Sequence, residues 1–293
     1  MRKSIPLTAV FLTSLALTAS AAQVSLVQNE YAFAKAVADH GVRDGFLKYL
    51  DKQAITLAPQ PVNAFDVYTK RKPSATKLSW YPTFALLSSS GDFGVDTGPW
   101  RADWTQDGKK QSAHGDWLTV WHMSKKEGRW LILFDGGVDH AAPAKPPVAL
   151  AKNAKVPKLT AMGPAPGTDE VHTTLERAET LFSNTSIESS PRAAYAGQGA
   201  DGMHLLQEEH PTITGLAAIE QAASNQPGSM QWVPSGGSAA VSGDLAYIYG
   251  MTYPAKDEAL KTPLGSYMHV WRHDHDDWKL LIDLELPVPP QKQ

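Results

Sequence analysis

Gly115-Asp-Trp-Leu-Thr-Val-Trp-His-Met123, a polar Ser-Lys-Lys-Glu-Gly turn at 124–128, and Arg129-Trp-Leu-Ile-Leu-Phe-Asp135 form the stretch that decides the fold. Two runs rich in aromatic and branched residues flank a short charged loop, the pattern of a β-hairpin. The same text returns as Gly265-Ser-Tyr-Met-His-Val-Trp-Arg272, a turn, and Asp277-Trp-Lys-Leu-Leu-Ile-Asp283. Working outward, Asp51 and Asp201, Pro61 and Pro211, Gly115 and Gly265, and Trp121 and Trp271 are each 150 residues apart. Ser90-Gly-Asp92 matches Ser242-Gly-Asp244, and Trp130 and Asp135 match Trp278 and Asp283 after small turn deletions. Agreement across helix, strand and turn positions is duplication of a whole domain; solenoid repeats would be far shorter.

The 293 residues suffice for two ordinary domains, and 42% hydrophobic content gives each half a core to bury. Met1-Arg-Lys-Ser4, the apolar run Ile5 to Thr18 and the small residues Ala19-Ser-Ala-Ala22 read as a secretory signal peptide over 1–22. No later stretch is apolar enough to span a bilayer, so the expected location is the periplasm or the exterior, with no membrane contact after cleavage. A formal charge of -3, with no basic cluster beside stacking aromatics, speaks against nucleic acid. Zero cysteines exclude disulfides and thiolate chemistry.

Domains are read at 23–140 and 168–290, joined by a Pro/Ala/Lys linker at 141–167. In the first, Gln28 to Leu50 reads as helix interrupted at Gly41, Asp51 to Leu57 as a strand, and Asn63 to Tyr68 as a helix capped by Asn63. Lys77 to Leu87 and Gly91 to Trp100 read as strands, with a bend at Asp107-Gly108 before the hairpin. In the second, Thr168 to Phe182 reads as helix capped by Thr168 or Asp169, and another precedes Asp201.

This order, closing on Gly-x-Tyr/Trp-x-x-Val-Trp-[HR] and Gly/Asp-x-Trp-[KR]-x-x-x-Asp, resembles the SnoaL-like, nuclear-transport-factor-2-like superfamily. The resemblance covers about 31–139 and, more weakly, 173–287. It implies an α+β, cystatin-like fold: two tandem cones, each a curved antiparallel sheet wrapped around N-terminal helices with a pocket inside. It also implies that the halves pack as an intrachain pseudo-dimer, with a homo-oligomer left open. Fold does not name a reaction.

Strand alternation sets Trp117, Thr119 and Trp121 on one face of the hairpin, and Tyr267, His269 and Trp271 on the matching face of its repeat. By resemblance to the ketosteroid-isomerase branch, these faces look into the cones. There an acid at the place of Thr119 and His269 hydrogen-bonds the developing enolate, and a first-strand carboxylate moves the proton. The latter place falls at Ala58 in the first half and Glu208 in the second, where a one-residue slip would select Gln207 or Glu209. Glu208 and His269 are therefore the catalytic candidates. The competing reading of Gln207-Glu-Glu-His-Pro211 is a solvated strand end.

Trp80, Trp100, Trp117, Thr119 and Trp121 in one half, and Tyr267 and Trp271 in the other, are candidate pocket linings, since ligand sites combine aromatic walls with a few polar groups. Plain core is the alternative. Asp51, Asp135, Asp201 and Asp283 occur in both copies, either as structural caps and pairs or as pocket carboxylates with shifted pKa. His273-Asp-His-Asp-Asp277 has metal-type donors, but its counterpart Ser124-Lys-Lys-Glu127 has none, so a solvated turn is the reading and no metal is expected. No phosphate loop or nucleophile elbow appears, and no cofactor is implied. The sequence thus leads to a binder of a small, largely apolar molecule. A proton-transfer isomerase or lyase in the second domain, or a non-catalytic scaffold, are the alternatives.

Overall fold

A computed structural model describes residues 25–161, 167–224, 229–275 and 277–288; the expected signal peptide lies outside them. Helices α1 (Leu26–His40) and α2 (Val42–Tyr49) are separated by Gly41, whose φ of 84° breaks the first helix as expected. A capping box formed by Ser25 and Gln28 starts α1. Then come β1 (Leu50–Leu57), β2 (Pro61–Asn63) and α3 (Ala64–Lys70), with the Asn63 side chain accepting from the Asp66 N–H as its cap. The stretch read as one strand at 77–87 is two, β3 (Lys77–Trp80) and β4 (Phe84–Leu87), because Pro82 between them has no N–H for a ladder. The long strands β5 (Phe93–Gln106), β6 (Lys109–Ser124) and β7 (Arg129–His140) complete the half, β5 and β6 turning at Asp107 and Gly108, both with positive φ.

The second half repeats this with α4 (Thr168–Glu188), α5 (Pro191–Gln198), β8 (Gly199–Gln207), β9 (His210–Thr214), α6 (Leu216–Ala223), β10 (Met230–Ala239), β11 (Leu245–Pro254), β12 (Gly265–Asp274) and β13 (Asp277–Pro287). The cap of α4 is Gly167, one residue before the expected positions. Sheet orders are β2-β1-β7-β6-β5-β3, with β4 also on β5, and β10-β11-β12-β13-β8-β9. In each, the first strand runs parallel to the last and all other pairs are antiparallel. Each final hairpin has an irregularity at the same place, between Val120 and Trp121 and between Val270 and Trp271. A bulge there bends the sheet and aims the tryptophan inward.

The alternation expected for β6 is present. Trp117 and Trp121 join a core built with α1 and α2. Leu118 and Val120 face away, into a cluster that runs on through Phe134 and Val138 to Met268, Val270, Ile282 and Leu284 of the second half. The two sheets therefore pack face to face. Ser90 and Ser242, equivalent by the repeat, meet each other with hydroxyl oxygens 2.9 Å apart, as residues on a two-fold axis do. Asp116 accepts from the N–H and hydroxyl of Thr212 at 2.8 and 2.6 Å. The linker lies along the first half, where Leu150 N–H donates to Pro82 O and Tyr31 donates to Leu150 O.

Val120→Asp would set an unpaired charge in this dry seam, at a cost of about 3 kcal/mol. Urea unfolding followed by circular dichroism and tryptophan fluorescence should show one midpoint falling for both signals. A shift confined to part of the transition would mean that the halves do not fold as one unit.

Candidate functional site

Each cone is built on a glutamate that faces inward from its first helix. In the first half Glu30, fully buried, accepts from the indole N–H of Trp80 at 2.5 Å and of Trp121 at 3.1 Å. Trp121 also donates to Asp96 of β5 at 2.9 Å. Burial raises Glu30 to about 8, against the pull of the Trp80 bond. Burial and then the adjacent Glu30 charge raise Asp96 well above the carboxylate range. Both shifts favour the neutral acid, which lacks the charge that a dry interior does not tolerate.

Glu179 of α4 takes the same place in the second half. It accepts from Trp271 at 2.8 Å and from His269 Nδ1 at 3.1 Å. His269 Nε2 lies 3.4 Å from Asp283, which also accepts from Tyr195 at 2.7 Å. Burial alone would push the imidazole down, but Glu179 and Asp283 outweigh it and hold it at about 10. Ile248 pairs with His269 across the sheet where Asp96 pairs with Thr119. One half thus neutralises its buried glutamate with protons, the other with an imidazolium.

The two cones differ in how far they are open. A cavity of about 430 Å³ in the first is walled by Phe46, Tyr68, Trp80, Trp100 and Trp117, with Thr56, Arg71, Asp135 and Asp139 as its polar groups. Phe46 and Tyr68 stack at 4.2 Å, and the Arg71 guanidinium sits over the Tyr68 ring at 5.7 Å. Thr119, itself buried, donates to Asp135 at 2.7 Å. Burial raises Asp135 to about 7 despite that bond, so it changes charge near neutrality. Gly136 and Gly137 line the cavity beside it. By the register of the last strands, the equivalent of Gly137 is Glu285, held by Gln207 at 2.7 Å. His269 for Thr119 and the Tyr195 hydroxyl for Phe46 take up the depth of the second cone, and Glu285 lines the smaller crevice that remains at its mouth.

These positions revise the reading of individual residues. Trp80, Trp100, Trp117 and Asp135 line the open cavity; Trp121, Thr119, Tyr267 and Trp271 are sealed core residues. Asp283 is buried against His269, Asp51 pairs with His122 at 3.0 Å, and Asp201 is exposed. Glu208 lies in the turn after β8, on a crevice of about 260 Å³ lined also by Glu285 but not by His269. Parallel pairing aligns Ile55 with His204, so Ala58 matches Gln207, the one-residue slip. His269 has no accessible surface, because aromatic rings and two carboxylates enclose it. The structure therefore does not bring Glu208 and His269 to one substrate. In the 273–277 turn, His273 packs edge-on to Trp278 and His275 is exposed. Among the described residues no group of three or more His, Asp or Glu is arranged to hold a metal ion.

Sequence reasoning missed Glu30, Asp96, Tyr68 and Arg71. Glu30 was accessible to it, since Glu179 repeats it ahead of Phe33 and Phe182 at the same spacing. Gly136-Gly137 inside a strand was a second signal, because glycine there marks a close approach or an open space.

No family model matches the chain, and no curated protein matches it. Solved structures do. A protein with a cystatin-like fold from Nostoc punctiforme is 14% identical over 41% of this chain and 92% of its own, with a TM-score of 0.33. A candidate dehydratase of the NTF2-like family from Streptomyces avermitilis is 18% identical over 42% and 99%, with a TM-score of 0.30. The association domain of CaMKII from C. elegans is 11% identical over 38% and 90%, with a TM-score of 0.31.

Stability should fall with rising pH in two windows. Glu30, raised from 4.5 to about 8, contributes fully below 4.5 and loses its contribution as pH rises through about 8. His269, raised from 6.5 to about 10, contributes fully below 6.5 and loses it as pH rises through about 10. Unfolding midpoints measured against pH should flatten in the lower window for Glu30→Gln and in the upper for His269→Gln. The second variant should also be destabilised at neutral pH, by about 3 kcal/mol or more, through the carboxylates it leaves unpaired. The helix–helix–strand opening, the parallel closure of first strand on last and the antiparallel remainder are, twice over, the α+β cone architecture called NTF2-like or cystatin-like.

Proposed function

We propose that this is an exported protein, periplasmic or secreted, that binds a small amphipathic molecule in the cavity of its first half. The observation that carries this reading is the inequality of two copies of one fold. In the second cone His269 and Tyr195 occupy the depth and Glu285 narrows the mouth to a crevice of about 260 Å³, while the first keeps an aromatic-walled space of about 430 Å³ with Asp135 at its wall. Evolution of a core alone would fill both, since packing a void gains dispersion and burial energy. Small-molecule sites have this make-up, an aromatic wall with a few converging polar groups. The polar groups argue for an amphipathic ligand over a purely apolar one.

A second reading is proton transfer on a bound small molecule, and it moves from the second half to the first. Asp135, titrating at about 7 in a partly dry cavity, has the value a general acid or base needs at neutral pH. A carbonyl compound is the substrate class such a group serves.

Small molecules screened against the purified chain by unfolding temperature and tryptophan fluorescence test the binding reading. A ligand at a hundred times its Kd should stabilise the fold by about 2.7 kcal/mol. Thr56→Trp, which fills the cavity from β1, should abolish the shift, and Glu208→Gln should leave it unchanged. The opposite pattern would place binding in the second half.

A further inference from the structure

The two cones are the same device with one part exchanged. In the second, a cation sits at the centre: the His269 imidazolium, between Glu179 at 3.1 Å and Asp283 at 3.4 Å. Four aromatic rings surround it, Tyr267, Phe182, Trp271 and Trp232, with centroids 4.5 to 6.1 Å away. In the first, Glu30 stands for Glu179, Asp135 for Asp283, and Trp117, Phe33, Trp121 and Trp80 for the four rings. Where His269 stands there is Thr119, which brings no charge, and the cavity opens beside Asp135.

Resting on the proposal that the first-half cavity binds a ligand, we propose that this ligand carries a cationic head, a protonated or quaternary ammonium group. It is received by Asp135 and the aromatic wall of Tyr68, Trp80, Trp100 and Trp117, in the role that the His269 ring plays in the second half. The flat faces of aromatic rings attract cations, and a nearby carboxylate adds a full charge. The fold already seats one cation on this wall, since Arg71 lies over Tyr68.

The charges facing the cavity agree. From β7 come Asp135 and Asp139, the latter next to His140; from the end of α3 comes Arg71; from β1 comes only Thr56. Behind the wall, α1 and β5 add Glu30 and Asp96. Among the described residues no lysine lines the space. In the lining two carboxyl groups stand against one guanidinium, so a cationic guest compensates an ionised Asp135 and a neutral guest does not. Binding a cation should ionise Asp135 and release its proton, so affinity should rise from about pH 6 to about pH 8.

The test is a titration of choline against its uncharged carbon isostere, 3,3-dimethyl-1-butanol, by calorimetry and tryptophan fluorescence at both pH values. Choline should bind at least about tenfold more tightly at pH 8, with the preference shrinking at pH 6. Asp135→Asn, which keeps an acceptor for Thr119, should remove the pH dependence and most of the preference. Circular dichroism confirms that this variant is folded, and Glu208→Gln serves as an unaffected control. Equal binding of the two probes would overturn the cationic ligand and leave the cavity as a binding site. Binding of neither, at any pH and at millimolar concentration, would overturn both.

Discussion

A carboxylate taken out of water must be paired, protonated or abandoned, and each half of this protein is arranged around one such group. Glu30 and Glu179 project from the first helix of their halves into the cone, where indole N–H groups of Trp121 and Trp271 meet them. Those tryptophans are the inward residues of the final hairpin, so the bond ties helix to sheet and fixes the depth at which the helix lies. Breaking it would leave a buried acid with one partner fewer, Trp80 remaining for Glu30 and His269 for Glu179, costing more than the loss of one hydrogen bond between exposed groups. The remaining charge is then handled in two ways: Asp96 and protons in the first half, the His269 imidazolium in the second. These two solutions govern what space remains.

Packing of the halves follows from the same sheets. A strand that sends Trp117, Thr119 and Trp121 inward sends Leu118 and Val120 outward, and the outward face is too apolar to leave in water. A second copy with Met268 and Val270 at equivalent places covers it, and the meeting of Ser90 with Ser242 shows that the arrangement is close to two-fold. Duplication within one chain makes this association intramolecular, so it carries no concentration requirement. It also lets the copies diverge, which a symmetric homodimer of identical chains cannot do.

Divergence is where function enters. Both cones inherit two carboxylates and a ring of aromatics, but one has an ionic core in its depth and a crevice of about 260 Å³ at its mouth, and the other has kept a cavity of about 430 Å³. A filled cone buys rigidity; an open one gives up packing energy and exposes a carboxyl whose charge is balanced near neutrality.

Much of this was legible in the sequence by itself. The hairpin text at 115–135 and 265–283, the spacing of 150 residues and the strand alternation determined that one domain occurs twice, which residues share a face and where the first helix breaks, while the cone and its inward face were what the resemblance implied. Such features are local or periodic, and local chain geometry is sufficient to specify them. Trp80, Trp100, Trp117 and Asp135 could be nominated for the same reason. Which cone is the more open, and that Glu208 and His269 serve different surroundings, were decided only by tertiary structure. Openness depends on the volumes of Gly137 against Glu285, Phe46 against Tyr195 and Thr119 against His269, residues far apart in the chain that meet at one point. The pairing of Ala58 with Gln207 in place of Glu208 depends on a parallel strand register that no turn sets. Glu30 looked like any helix-surface acid until the fold turned it toward two indoles; its charge state, and with it the chemistry of the cavity, is a property of the assembled cone.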